Sequence, residues 1–514
     1  MSSGASPGRA TDRLHRWIAD AVAGISVALV IVPQGMAYAE LAGLPPHHGL
    51  YASALPPLLA AFFASSPYLQ TGPVALTSLL SFGALSTLGV PIGGPEYVAA
   101  AALLALVVGV VRVAIGVTGA GSVAYLMSQP VLRGFTLAAA ILIVSSQLPS
   151  VLGVVPEEPS VLLRAGAALA SPHGWSVAAL GLSALTVVAM IGGRRLHPLF
   201  PGVLLAVVVG VVFSLLTAYP GATVGSVPAV LLPPLNVDLP WWRLPQLAVS
   251  GAIIALVGFA EAASVAQAYA EEGRQPWDPS REFVGQGVAN LAAGLTAGFP
   301  VGGSFSRSAI NRLAGAQTRA SGGITGLVVV LFLPFAFLLS PLPKAVLGAI
   351  VVGAVSGLLN PRPLLSLFRQ SVLQGVIGTA TFVATLASAP NVEYGVMIGI
   401  VVAVVVHLYR EQHLDVEVVV EGQGRIVFRP HGVLWFGSAP VFRQRVTREV
   451  ARHPNVRVVV LDLGAVGRVD LTGALALRDI AAHGGDALAF ELRNVPVHAR
   501  RVLAKVLPDQ LPDA

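Results

Sequence analysis

The run Pro33-Gln34-Gly35-Met36-Ala37-Tyr38-Ala39-Glu40-Leu41-Ala42-Gly43-Leu44-Pro45-Pro46 constrains this chain more than any other. It closes a long apolar stretch with an amide, an acid, glycines and prolines, at what should be membrane depth. Polar groups in hydrocarbon are costly, so a plain spanning helix has no use for them. They belong where a helix lines a cavity, as in transporters built from interrupted helices.

The rest of the chain agrees with a bilayer setting. Of its 514 residues, 55% are hydrophobic and 11% charged, less than half the charge usual for soluble domains. Apolar segments recur from about Trp17 to about Leu408. There are roughly fourteen, if some are half-helices shorter than the ~20 residues of a full span. The 55 glycines and 38 prolines suit packed and broken membrane helices. The absence of cysteine excludes disulfides, thiolate metal sites and cysteine nucleophiles. Neither a Gly-x-Ser-x-Gly elbow nor His-rich metal spacing is present, so no enzyme and no resident cofactor are expected. The net charge of +6 does not point to nucleic acid, because the arginines are spread over loops.

Those arginines predict orientation instead. Arg9, Arg13 and Arg16 precede the first span, which places the N-terminus in the cytoplasm. Residues 19–32 lack a small-residue cleavage site and run on into Gln34, unlike a cleaved signal peptide. Counting spans puts Arg194-Arg195, Arg274 with Arg281, Arg362 with Arg369, and Arg410 on the same side. The segment 218–245, with Arg243 as its single basic residue, falls outside. An even span count returns the C-terminus to the cytoplasm. The expectation is therefore an integral protein of the cytoplasmic (inner) membrane.

Composition changes after Arg410, where charges appear every few residues. Residues 415–418 alternate acid with valine, and Gly422-Gln423-Gly424 turns into a second strand at 425–428. Helical spacing over 441–452, a β-branched run over 456–463 and a helix over 471–480 complete a small α/β domain. The expected division is an N-terminal segment 1–16, a membrane domain 17–412 and a soluble domain 413–514. Val458-Val459-Val460-Leu461-Asp462-Leu463 followed by Val469-Asp470-Leu471-Thr472-Gly473-Ala474 is similar to the core motif of STAS domains. Thr472 stands where phosphorylated STAS relatives carry their target hydroxyl. The plainer expectation is that it caps the following helix.

Two membrane segments share an unusual design. Gly72-Pro73-Val74 leads into an apolar run containing Thr77 and Ser78, and Phe299-Pro300-Val301-Gly302-Gly303-Ser304-Phe305 leads into Ser306-Arg307-Ser308. An ordinary proline-started helix is the plainer alternative for the first. A shift of 227 positions lays Pro73 on Pro300, Val74 on Val301 and Gln34 on Glu261. That suggests two seven-span halves, inverted because seven is odd, with a site between paired broken helices.

With residues 20–24, 33–46, 49–51, 258–261, 303–308 and 314–318, these segments resemble the SulP family of sulfate permeases and prestin-like anion transporters. The likeness runs from Asp20 to about Ile480. It implies fourteen spans in seven-plus-seven inverted repeats, arranged as core and gate bundles. It also implies half-helices as the third and tenth spans, an anion site between their N-termini, and a homodimer with STAS domains at the interface. Sulfate, bicarbonate, chloride, nitrate and small dicarboxylates all lie within the family's range.

The chemistry of that site can be argued from the residues. Two helix N-termini aimed at one point present free N–H groups and about half a positive charge each. Gly72, Pro73 and Val74 shape one approach, Gly303, Ser304 and Phe305 the other. Thr77, Ser78, Ser306 and Ser308 are candidate hydroxyl donors, Gln34 a hydrogen-bonding group, and Arg307 the cation whose counter-ion would be the substrate. A permanent Arg307–Glu261 salt bridge is the structural alternative.

Glu261 stands alone in the apolar span 252–270, where desolvation favours the neutral carboxyl, so it is a candidate to load and release a proton. Sodium ligation is the rival role. Glu40, nearer a helix end, ranks behind it. Arg112 and Arg133 are expected only to snorkel towards the interface. Among rival functions, a nucleobase permease of the same fold would carry an acid where this chain has Ser306-Arg307. A channel or voltage-driven motor is open to the same architecture.

Overall fold

The structure is a computed structural model and describes residues 7–508, other than 126–127, 159, 236–237, 422–423 and 484–487. The expected turn residues Gly422 and Gln423 lie outside the described set. The chain divides into two compact units, Met1–Ile400 and Val401–Ala514. That division falls inside the last apolar helix.

A backbone in lipid must satisfy its own N–H and C=O groups, and the first unit is accordingly almost wholly helical. Its first half comprises α1 (Pro7–Leu41), α2 (His47–Phe63), β1 (Gln70–Gly72), α3 (Ala75–Ser86), α4 (Pro95–Val117), α5 (Gln129–Leu152), α6 (Val161–Ala170), α7 (Val177–Val187), α8 (Gly193–Leu196) and α9 (Gly202–Thr217). A connection without long helices follows. The second half comprises α10 (Leu244–Gly273), α11 (Pro279–Leu295), β2 (Gly302–Ser304), α12 (Phe305–Leu313), α13 (Ala320–Phe332), α14 (Lys344–Val355), α15 (Arg362–Gln370), α16 (Val372–Ala387) and α17 (Val392–Gln412). Eight described helical stretches are long and apolar enough to span a membrane. At 12 and 9 residues, α3 and α12 are not.

The two halves open alike, with two helices, a three-residue strand and a half-helix. β1 pairs antiparallel with β2, Gln70 opposite Ser304 and Gly72 opposite Gly302. The half-helices therefore leave opposite ends of this ribbon with their N-termini facing. The 227-residue shift does not describe this repeat. Gln70 and Gly302 open the strands, Ala75 and Phe305 the helices, and both pairs are further apart than 227. Pro73 follows its strand whereas Pro300 precedes its own, so the matched prolines are not equivalent. A change in loop length moves register without leaving a trace in so few identities. Nor is α1 the interrupted helix, since it runs unbroken through Pro33 to Leu41. A proline removes one backbone hydrogen bond, and a helix packed on all sides carries on past it.

Packing joins the halves through motif residues. The buried Asp20 carboxylate accepts from the backbone N–H of Gln317 at 2.7 Å and Thr318 at 2.9 Å, and from the Thr318 hydroxyl at 2.6 Å. A Cβ on Gly24 would stand 2.7 Å from the Ser321 carbonyl oxygen, so α1 and α13 meet backbone to backbone. Small residues permit such contacts where lipid supplies no hydrophobic drive.

The second unit contains β3 (Asp415–Glu421), β4 (Arg425–Leu434), α18 (Ala439–Arg452), β5 (Val458–Asp462), β6 (Val466–Val469), α19 (Leu471–His483), β7 (Ala489–Arg493) and α20 (Val497–Val506). Its sheet runs β3-β4-β5-β7, with β6 also on β4. Phe428, Leu461, Leu477 and Leu503 share its core. The cap of α19 is Asp470, not Thr472. One Asp470 oxygen accepts from Gly473 N–H at 2.7 Å and the other from Phe436 N–H at 3.1 Å. The helix begins at Leu471, which leaves Thr472 exposed inside the first turn, two residues past the capping position.

Candidate functional site

The first turns of α3 and α12 open onto one cavity of about 380 Å³. Val74, Ala75 and Leu76 come from one end, Ser304, Phe305 and Ser306 from the other. First-turn N–H groups have no acceptor within their own helix, and the dipole adds about half a positive charge at each end. Helix α10 contributes Val257, Ala260, Glu261 and Ser264, α1 contributes Tyr38, and α5 contributes Phe135 and Thr136. Gln129 and Arg133 lie at the mouth with Asn360 and Pro363. Arg133 is thus part of the entrance, its guanidinium donating to Pro363 O at 3.2 Å.

The direction of that entrance follows from α14. Lys344, its first residue, pairs with Glu40 near the end of α1 at 2.8 Å. Its last residues, Ala354 and Val355, line the cavity. Helix α14 therefore returns towards the side on which α1 begins, and the cavity opens on that side.

Expected site residues fall into two groups. Val74, Ser304, Phe305, Ser306 and Glu261 line the cavity. Gln34, Gly72, Pro73, Thr77, Gly303, Arg307 and Ser308 are buried behind its wall. Thr77 donates to Pro300 O at 3.1 Å and Ser78 to Val74 O at 2.8 Å, so both hydroxyls brace the backbone here. Ser308 accepts from Gln70 N–H at 2.9 Å, anchoring β1. Ser304 and Ser306 hydroxyls, 3.4 Å apart, remain at the cavity face. Side chains on a helix turn by about 100° per residue, and that rotation separates Ser306 in the wall from Arg307 behind it.

Arg307 is 0% exposed. Its Nη1 lies 3.5 Å from Gln34 Oε1, while among the described residues Nε and Nη2 have no hydrogen-bond partner, and neither does Gln34 Nε2. The ion pairs of the membrane unit involve Arg243, Arg312 and Lys344. Among the described residues Arg307 is therefore in no salt bridge with Glu261. The two remain close enough, with Tyr38, to act on one another electrostatically. Glu261 is the one carboxyl among the described lining residues, and the Phe305 N–H acts on it as well. Glu40, engaged by Lys344, is away from this cavity.

Several groups that shape the site carried no sequence signal. Asn290 grips Val301 just before β2, accepting from its N–H at 2.9 Å and donating to its carbonyl at 3.0 Å. Gln286 donates to Thr71 of β1 at 2.8 Å. Arg112, expected to snorkel, is instead fully buried and donates to three backbone carbonyls. A polar residue on an apolar helix looks the same whether it faces lipid headgroups or a strand from elsewhere in the chain.

Gly72 is in the left-handed region with φ of 150°. A Cβ there would stand 2.7 Å from Ile31 Cδ1 and 3.4 Å from Arg307 Nη2. Gly72→Ala should therefore destabilise the protein by about 1–3 kcal/mol, read as a lowered melting temperature in detergent. An unchanged melting curve would show that the ribbon relaxes freely.

Comparisons with known proteins follow the same outline. Residues 18–381 match the model of the sulfate permease family, and residues 417–505 that of the STAS domain. A probable sulfate transporter of Mycobacterium tuberculosis strain CDC 1551 is 32% identical over 513 residues, covering 93% of this chain and 89% of its own. The probable sulfate transporter 4.2 of Arabidopsis thaliana is 31% identical, covering 91% and 75%. Rat prestin is 28% identical, covering 85% and 65%. Among solved structures, the murine solute carrier 26 family member A9 anion transporter in its inward-facing state aligns with a TM-score of 0.87 at 22% identity, over 96% of this chain and 88% of its own. The transmembrane domain of a cyanobacterial bicarbonate transporter, BicA, aligns at 0.64 and 21% identity, over 76% and 97%. Both structures share the fold with this chain.

Proposed function

Because the chain belongs to the sulfate permease family, a family of membrane transporters and not of enzymes, we propose that it moves small anions of the sulfate, bicarbonate or dicarboxylate class by secondary active transport. The observation that carries this reading is the meeting of two half-helix N-termini at one cavity beside the Glu261 carboxyl. The helix ends attract the anion, and the unpaired Arg307 adds a full charge from behind. Glu261 binds the coupling proton, making the cycle a proton symport, with a sodium-coupled or exchange cycle as the alternative. With a cytoplasmic N-terminus, the cavity is open inwards, and alternating access requires α5 and α14 to rock against α3, α10 and α12. The Glu40–Lys344 pair then closes the outer side. In this reading α3 and α12 are the third and tenth of fourteen spans in a homodimer of the cytoplasmic membrane. A nucleobase permease is disfavoured because Ser306-Arg307 replaces the acid that would hold a base.

Proteoliposomes given labelled sulfate, bicarbonate, nitrate and succinate test the proposal. An inward proton gradient should concentrate one of these anions above its equilibrium level. Accumulation driven by sodium, or only by a counter-anion, would select the alternative cycles. Dissipation of a preset gradient without accumulation would make the protein a channel. Uptake of uracil but of no anion would overturn the substrate class.

A further inference from the structure

Among the described residues, Arg112 is the membrane unit's other fully buried guanidinium besides Arg307. Its Nε donates to Ala255 O at 3.0 Å, Nη1 to Val301 O at 2.9 Å and Nη2 to Ile254 O at 3.3 Å. Carbonyl oxygens satisfy these donors but bring no net charge. Ion pairs among the described residues of this unit include those of Arg243, Arg312 and Lys344, and none of them offsets Arg112 with a carboxylate.

Its position behind the cavity gives that charge a use. Ile254 and Ala255 belong to α10, about two turns before Glu261, and Val301 immediately precedes β2, which opens α12. A Cβ on Gly258 would stand 2.8 Å from Arg112 Nη2 and 2.7 Å from Thr77 Cγ2 of α3. The guanidinium thus sits where α3, α10 and the lead-in to α12 converge. We propose that Arg112 is a positioning residue for the anion site, whose fork ties α10 to the lead-in of α12 and whose unbalanced charge attracts the bound anion without touching it. The inference rests on the anion-transport reading above.

Long-range attraction has a signature that packing lacks. Coulomb energy scales with the charge of the ligand and persists across a low-dielectric interior. Removing the charge in Arg112→Gln should raise KM for a monovalent anion by some factor, and KM for a divalent one by about its square. Roughly tenfold for nitrate would mean roughly a hundredfold for sulfate. Arg112→Lys keeps the charge but cannot fork to three carbonyls, so its sulfate-to-nitrate ratio should match the wild type while Vmax falls. Asn290→Ala loosens the same Val301 without changing charge, and should leave the ratio alone.

An unchanged ratio in Arg112→Gln would overturn the electrostatic role, as would an equal change in Asn290→Ala. Should the glutamine variant fail to insert, Arg112→Lys decides by itself. A shifted ratio there sinks the charge argument, and an unchanged Vmax sinks the fork. Where the wild type takes up neither nitrate nor sulfate, bicarbonate and succinate serve as the monovalent and divalent pair, and uptake of none of the four would instead defeat the transport reading, a result separable from either.

Discussion

Replacing Arg307 with alanine should abolish or greatly weaken anion uptake while the protein stays folded and inserted. The side chain is in no ion pair, so its removal leaves no carboxylate stranded. Gln34 loses a long 3.5 Å contact, and the α12 N-terminus keeps its cap, because Ser304 accepts from the backbone N–H of residue 307. Alanine is also well tolerated in a helix. The anion, by contrast, loses a desolvated positive charge. Truncating one member of a buried charge pair typically costs about 2–5 kcal/mol. That corresponds to roughly 30-fold or more in affinity. Uptake in proteoliposomes, beside a melting curve for the same preparation, checks both halves of the statement. Wild-type kinetics in the variant would show that Arg307 is structural only.

Glu261→Gln should stop proton-driven accumulation while anion binding survives within about threefold. The amide preserves shape and hydrogen bonding but does not exchange a proton in the working pH range. Glu261 is the one carboxyl among the described lining residues, so no second acid in the wall can replace it. The measurement is uptake with and without an inward proton gradient, with binding followed separately by protection against thermal unfolding. If accumulation still responds to pH, the coupling group lies elsewhere. A response to sodium alone would make Glu261 a cation ligand instead.

Much of this site can be read before any folding is considered. An acid isolated in an apolar span, as Glu261 is, has few uses other than a cavity, and the Pro/Gly lead-ins at residues 72–74 and 299–303 announce broken helices because no regular span would carry them. The tail reads just as plainly, since its strands and helices alternate with short-range patterns that survive in any context. The roles of individual hydroxyls do not read this way. Thr77, Ser78 and Ser308 look like Ser306 in the sequence, yet three of the four are engaged by backbone groups, in two cases from the opposite half of the chain. Arg112 carries the same lesson, for its three acceptors lie more than a hundred residues away.

By itself, the sequence determined the membrane class, the two broken-helix segments and the α/β tail, all consequences of local composition in a medium that punishes unpaired polar groups. Only the tertiary structure decided which polar side chains face the cavity and which brace it. It likewise settled that Glu40 belongs to Lys344, that Asp470 caps α19, and that β1 meets β2 in a register no fixed shift predicts. Those outcomes depend on partners supplied by distant elements, and hydrogen-bond geometry over a few ångströms is set by how helices pack, which no local pattern encodes.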